Sequence, residues 1–207
     1  MEGDRVPVRT FADELRTAAR RARTGSGTFV YEGEEPVEFT IREPNVDVRL
    51  GSSVTGWDRE RRVVGDRCYV LADAATSRWT YWDLNDSDPL WAHALKVMRL
   101  SRHRANPIGL IESMYGEAEV LSVEAGLSTL RVPTDARALL RAQGDLSSED
   151  EAPVVVPALW TVGDDDLVQE VRQEGDTLGP IRFFAWGTTP EVTAPGGDNI
   201  VSQKDLI

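Results

Sequence analysis

The sequence is poor in the residues that most often carry chemistry. Among 207 residues there are one cysteine and two histidines. A lone Cys68 makes no internal disulfide, so the fold must hold by packing. His93 and His103 have no His-Glu-x-x-His frame between them and leave little material for a transition-metal site. The sequence has no Gly-x-Ser-x-Gly nucleophile turn, no Gly-x-Gly-x-x-Gly and no phosphate loop. No apolar run approaches the roughly 18–20 residues of a membrane span. Basic residues are outnumbered, 23 against 35 acids, for a net charge of −12. Such a chain does not hold a polyphosphate backbone by general electrostatics, which excludes non-specific nucleic-acid binding.

Acid clusters raise the question of calcium. Asp83-x-Asn85-x-Ser87 opens like a calcium loop but has Asp88 where the loop needs glycine and Ala94 where it needs glutamate. Asp145-x-Ser147-x-Glu149-x-Glu151 fails likewise, with Asp150 and Val156 at those places. No catalytic residue, metal or cofactor is expected.

What is present is ordinary globular material, 41% hydrophobic and 28% charged, sized for a single domain over 1–207. The charge is uneven. Residues 1–144 carry a net −2, and the last 63 residues carry −10.

A helix is expected at 11–23, capped by Thr10, with Phe11, Leu15, Ala18 and Ala22 on one face and Arg16, Arg20, Arg21 and Arg23 on the other. The period then changes to two. Val37, Phe39 and Ile41 alternate with polar residues, as do Val46, Val48 and Leu50. Gly65-Asp66 reads as a two-residue hairpin turn. Short antiparallel strands in series make a meander. Asp88-Pro89 and Asn106-Pro107 each start a helix. The first carries Leu90, Trp91, Ala94, Leu95 and Met98, and the second carries Ile108, Ile111 and either Met114 or Tyr115. Strands are expected again at 117–124 and 126–132, then a helix at 134–143 capped by Thr134. Further strands run over 154–162, 167–174 and 181–186. Pro157 places its strand at an edge or a bulge. The tail from Pro195 reads as loosely held. The fold class is therefore α+β: a curved antiparallel half-barrel of about eleven strands, with helices packed on its concave face.

Helices that cover such a face incompletely leave an apolar cavity. Its candidate lining is Phe39, Val48, Leu90, Trp91, Leu95, Met98, Ile108, Ile111, Met114 and Trp160; each of these also suits an ordinary core. Arg20, Arg99, Arg102 and Arg104 are candidates for an anionic headgroup at the mouth.

The order of elements resembles a known family. The turn and strand Val64-Gly65-Asp66-Arg67-Cys68-Tyr69-Val70 are followed by Trp79-Thr80-Tyr81-Trp82-Asp83 and by the Asp-Pro-led helical insertion. The chain then closes on Phe183, Trp186-Gly187, Val192 and Pro195. This pattern resembles the LolA-like lipoprotein superfamily, in its LppX/LprG-type branch of actinobacterial cell-envelope lipoproteins. The resemblance implies a half-barrel that holds acyl chains of lipids or acylated molecules, anchored through a lipid-modified N-terminal cysteine. This sequence has no apolar signal region and no lipobox, so it is expected to be the mature part of an extracytoplasmic, lipid-anchored precursor. Two function classes are open. One is non-enzymatic binding and transfer or presentation of a lipid or acylated molecule. The other is an envelope interaction or sensor module with a collapsed cavity and a protein partner.

Overall fold

The computed structural model describes residues 3–28, 36–43, 45–51, 59–86, 92–143, 154–175 and 179–201. β1 (Arg5–Pro7) leads directly into α1 (Val8–Ala22). A meander follows: β2 (Thr24–Thr28), β3 (Val37–Arg42), β4 (Asn45–Leu50), β5 (Arg61–Val64), β6 (Arg67–Asp73) and β7 (Arg78–Asp83). After α2 (Ala92–Arg104) and α3 (Pro107–Ile111) comes a hairpin of β8 (Glu117–Glu124) and β9 (Leu127–Asp135). The chain continues with α4 (Ala136–Gln143), β10 (Val155–Gly163), β11 (Val168–Gln173) and β12 (Ile181–Phe184). All twelve strands form one antiparallel sheet in the order β1-β8-β9-β10-β11-β12-β2-β3-β4-β5-β6-β7. The sheet is open, with β1 at one edge and β7 at the other. Its two meanders meet where β12 pairs β2.

Strand register divides the side chains cleanly, because neighbours along a strand point to opposite faces. One face is apolar. Across it runs the row Gly25, Phe39, Val48, Val63, Cys68, Trp82, each residue paired with the next. On the other meander the same face carries Leu130, Trp160, Val171 and Ile181. With Leu15 of α1, Leu95 and Met98 of α2, Ile108 and Ile111 of α3 and Leu139 of α4, the apolar residues of these rows make one buried core, against which the half-buried Trp82 packs. The opposite face is polar and laced with pairs such as Arg49–Glu38 at 2.6 Å and Arg131–Glu174 at 2.7 Å.

Gly65 adopts the left-handed conformation (φ 57°) between the paired residues Val64 and Arg67, so the Gly65-Asp66 turn is as expected. Asn106 caps α3 by accepting from Gly109 N, and Pro107 opens the helix. Three other expectations need correction. Thr10 is not a cap: α1 starts at Val8, and Val8 N donates to the Gly116 carbonyl at 3.0 Å, which does the cap's work. The buried stripe of α1 is accordingly Val8, Ala12, Leu15, Ala18 and Ala19. Thr134 belongs to β9, and α4 begins after Asp135, whose carboxylate accepts from Arg137 N. The strand of Pro157 is interior and, as expected of a strand not at an edge, bulged: its register against β11 shifts between Thr161 and Val162. Pro157 faces Pro133 of β9, while its carbonyl accepts from Glu174 N and that of Pro133 accepts from Tyr115 N. Two residues without N–H groups thus share a non-hydrogen-bonded site, and the ladder loses nothing between them.

The third correction concerns the tail. Beyond Trp186 the chain crosses the polar face from β2 to β7. Thr189 Oγ1 meets Ser26 Oγ, Val192 N donates to the buried Thr40 Oγ1, and Thr193 O accepts from Arg62. Ile200 then bridges Trp79 in parallel, with Val201 N donating to Trp79 O. The described part of the tail that reads as loose, up to Val201, is thus the end of a strap.

Candidate functional site

The apolar face under α2 is the candidate site. α2 touches β4 and α4, and α4 touches β9 and β11. Eight of the ten candidate lining residues fall in the described part, and the fold brings all eight into the one apolar core. Phe39, Val48 and Trp160 are fully enclosed, and Leu95, Met98, Ile108, Ile111 and Met114 are buried with them. Leu90 and Trp91, with the expected Asp88-Pro89 helix start, lie outside the described residues. Trp160 is placed by a polar contact: its indole N–H donates to Thr134 Oγ1 at 3.1 Å, and that hydroxyl donates to the Val132 carbonyl. Phe39 sits in an aromatic cluster with Phe183 and Trp186, at centroid distances of 6.0 and 5.3 Å, both edge-to-face. Trp186 is fixed in turn by its N–H on the Val168 carbonyl.

Three of the four headgroup arginines are engaged by groups of the chain itself. Arg20, on the exposed side of α1, is paired with Glu43, and the hydrogen bond holds that carboxylate below its ordinary range. Arg99 and Arg102 tie α2 to the sheet. Arg99 Nε donates to the Leu84 carbonyl at 2.9 Å, and Arg102 Nε donates to the Val46 carbonyl at 2.7 Å. Arg102 also lies 3.7 Å from Asp47, a buried carboxylate that accepts from Arg42 and from Gly65 N. Burial lowers the Arg102 pKa, and Asp47 partly opposes that. Of Arg104 only its place in α2 is described.

One residue of this face escapes a sequence reading. Two positions along the strands from the apolar row runs a second row: Leu50, Arg61, Val70, Thr80. Arg61 is only 3% exposed and is the one charged residue buried on the apolar face among the described residues. The signal was available: Arg61 stands two before Val63 and therefore shares its face. The run Arg61-Arg62-Val63-Val64 begins both faces with arginine, so composition alone does not pick it out.

Cys68 lies in the apolar row, and burial pushes its thiol up to about 12. This is the opposite of an activated nucleophile. A cleft of about 750 Å³ lies away from this face, by Glu38, Arg49, Glu60, Leu71 and Asp73 near the rim of the polar face. No helix among the described residues is long and apolar enough to cross a membrane. No family model and no curated protein matches the chain.

Proposed function

We propose that this chain binds a lipid or acylated molecule non-enzymatically, on the apolar face of its sheet beneath α2 and α4, and carries or presents it at the cell envelope. In this reading the sheet curves into a half-barrel around the ligand, as in the LolA-like lipoproteins that the sequence resembles. One observation supports it best. Eight apolar side chains from β3, β4, β10, α2, α3 and the turn after α3 converge against one face of an open sheet. The helix over β4 is joined to the sheet rim by two arginine-to-carbonyl hydrogen bonds. A ligand that enters there parts this cover from the sheet, and its acyl chain takes the place of the apolar contacts that Leu95 and Met98 give up, each buried methylene being worth about 0.8 kcal/mol. Met98 and Met114 can reshape around it.

Native mass spectrometry of the purified chain, delipidated and then incubated with defined diacyl and single-chain lipids, tests this. Discrete lipid-mass adducts that compete with one another are expected. Absence of every adduct, together with a partner protein retained from envelope extract, would favour the interaction-module reading instead.

A further inference from the structure

Two elements on opposite faces of the sheet share one carboxylate. α2 packs on the apolar face, and the strap crosses the polar one. Asp47 of β4 lies opposite Thr40 across the β3–β4 ladder, and the Thr40 hydroxyl accepts from Val192 N of the strap. The Asp47 side chain therefore belongs to the polar face. It is buried, and its Oδ1 accepts from Gly65 N at 3.0 Å. Arg102 of α2 brings Nη2 to 3.7 Å from the same oxygen, and Arg42, the last residue of β3, donates from Nε to Oδ2 at 2.8 Å. Arg42 is shared, because its Nη2 also donates to Glu191 of the strap at 3.3 Å. Glu191 in turn pairs at 3.1 Å with Arg23, the residue that closes α1. The charges thus alternate without a gap from the cover of the apolar face to the strap: Arg102, Asp47, Arg42, Glu191, Arg23.

A buried carboxylate that loses one of two cations is left undercompensated. If α2 lifts and takes Arg102 with it, Asp47 draws on Arg42 alone. The contact of Arg42 to Glu191 is the longer of its two, so the guanidinium shifts toward Asp47 and away from the strap. Departure of the Arg102 charge also removes a direct attraction for Glu191, and the two effects have the same sign. We propose that Asp47 and Arg42 couple α2 to the strap, so that opening the apolar face loosens the end of the chain on the polar face. An open cover is thereby reported on the opposite surface of the molecule. Coupling of this kind is reciprocal, so loosening the strap at Glu191 weakens the hold on α2 by the same free energy. The device depends on what α2 does and not on what lifts it, and so stands apart from the acyl reading.

Amide exchange of the full chain, followed residue by residue by NMR, tests this. The readouts are the strap amides of Val192 and Val201, which donate to Thr40 Oγ1 and Trp79 O, and the helical amides of α2. Arg102→Met is expected to speed exchange at Val192 and Val201 about twofold to fivefold, as for charges coupled in one network. Arg99→Met removes the other tie of α2, to the Leu84 carbonyl, and touches no member of the chain of charges. It should speed α2 and leave both strap amides unchanged. In the reverse direction Glu191→Gln, a half-exposed change on the far side of the sheet, is expected to speed α2 by the same factor. Thr189→Val loosens the strap at Ser26 instead and should leave α2 unchanged. The Glu191 variant decides the question even if Arg102→Met does not fold. Strap amides indifferent to Arg102→Met, or an α2 indifferent to Glu191→Gln, overturn the inference. An equal response of the strap to Arg99→Met and Arg102→Met also overturns it, in favour of a general loosening of α2. No readout involves a lipid, so failure here leaves the acyl reading standing.

Discussion

Across the β2–β3 ladder the ring of Phe39 lies over Gly25, so closely that a Cβ at Gly25 would stand 2.7 Å from Phe39 Cζ. The glycine is required by the ring, whose position is held by Phe183 and Trp186. Gly25→Ala is expected to cost about 1–3 kcal/mol through overpacking. Urea denaturation followed by tryptophan fluorescence measures it. A variant as stable as the parent would show that Phe39 moves freely.

Arg102 joins α2 to β4 through the Val46 carbonyl and faces the buried Asp47. Arg102→Met is expected to lose roughly 1–3 kcal/mol. It should also raise amide exchange in α2 before any rise in β4. Hydrogen-exchange mass spectrometry reads both elements at once, and uniform acceleration would contradict a local tie.

The Trp160–Thr134 hydrogen bond is wholly buried. Trp160→Phe and Thr134→Val should each destabilise, and a double-mutant cycle should return a coupling of about 0.5–1.5 kcal/mol. Additive effects would mean that the contact contributes only packing.

Cys68 keeps its proton in the fold to about pH 12, against an ordinary value of 9.0. Between those two values the unfolded thiol has released its proton and the folded one has not. Stability therefore falls as pH rises through that window, and below it the group is neutral in both states and has no effect. At neutral pH iodoacetamide should leave the native protein unlabelled and label it fully in denaturant. Rapid native labelling would place the thiol outside the core.

Thr40 is buried beneath the strap, and its hydroxyl accepts from Val192 N at 2.8 Å. Thr40→Val leaves a buried N–H without its acceptor, a loss of about 1–3 kcal/mol. Thr40→Ser should recover most of it. Limited proteolysis between β12 and Ile200 should quicken in the valine variant only.

Much of this fold is legible in the sequence because strand periodicity is local. Phe39, Val48 and Val63 announce their face by alternation, and Gly65 and Asn106-Pro107 mark turns through backbone chemistry that needs no tertiary partner. The misreadings share one cause. Thr10 and Thr134 look like helix caps, but a carbonyl from Gly116 serves one helix start, and Trp160 claims the other threonine. The strap cannot be read from its residues, since what holds Val192 is Thr40 of a distant strand. Of the site, the apolar candidates are recognisable as buried, but the arginines are not. A sequence shows their charge and not their partners, so Arg20, Arg99 and Arg102 resemble free cations, and Arg61 resembles any surface arginine.

The pairing of β12 with β2 has a consequence for how the chain must be made. β2 to β7 and β8 to β12 each pair in sequence order, but Thr24–Thr28 meets Ile181–Phe184 only once nearly the whole chain exists. Until then one side of β2 is an unsatisfied edge on a nascent half-sheet, at the stage when such edges recruit other chains. The segment that waits there is Thr-Gly-Ser-Gly-Thr, with two glycines of low strand propensity and no large apolar side chain. A seam built from weakly cohesive residues delays closure and, for the same reason, keeps unfinished copies from sticking to each other during translation.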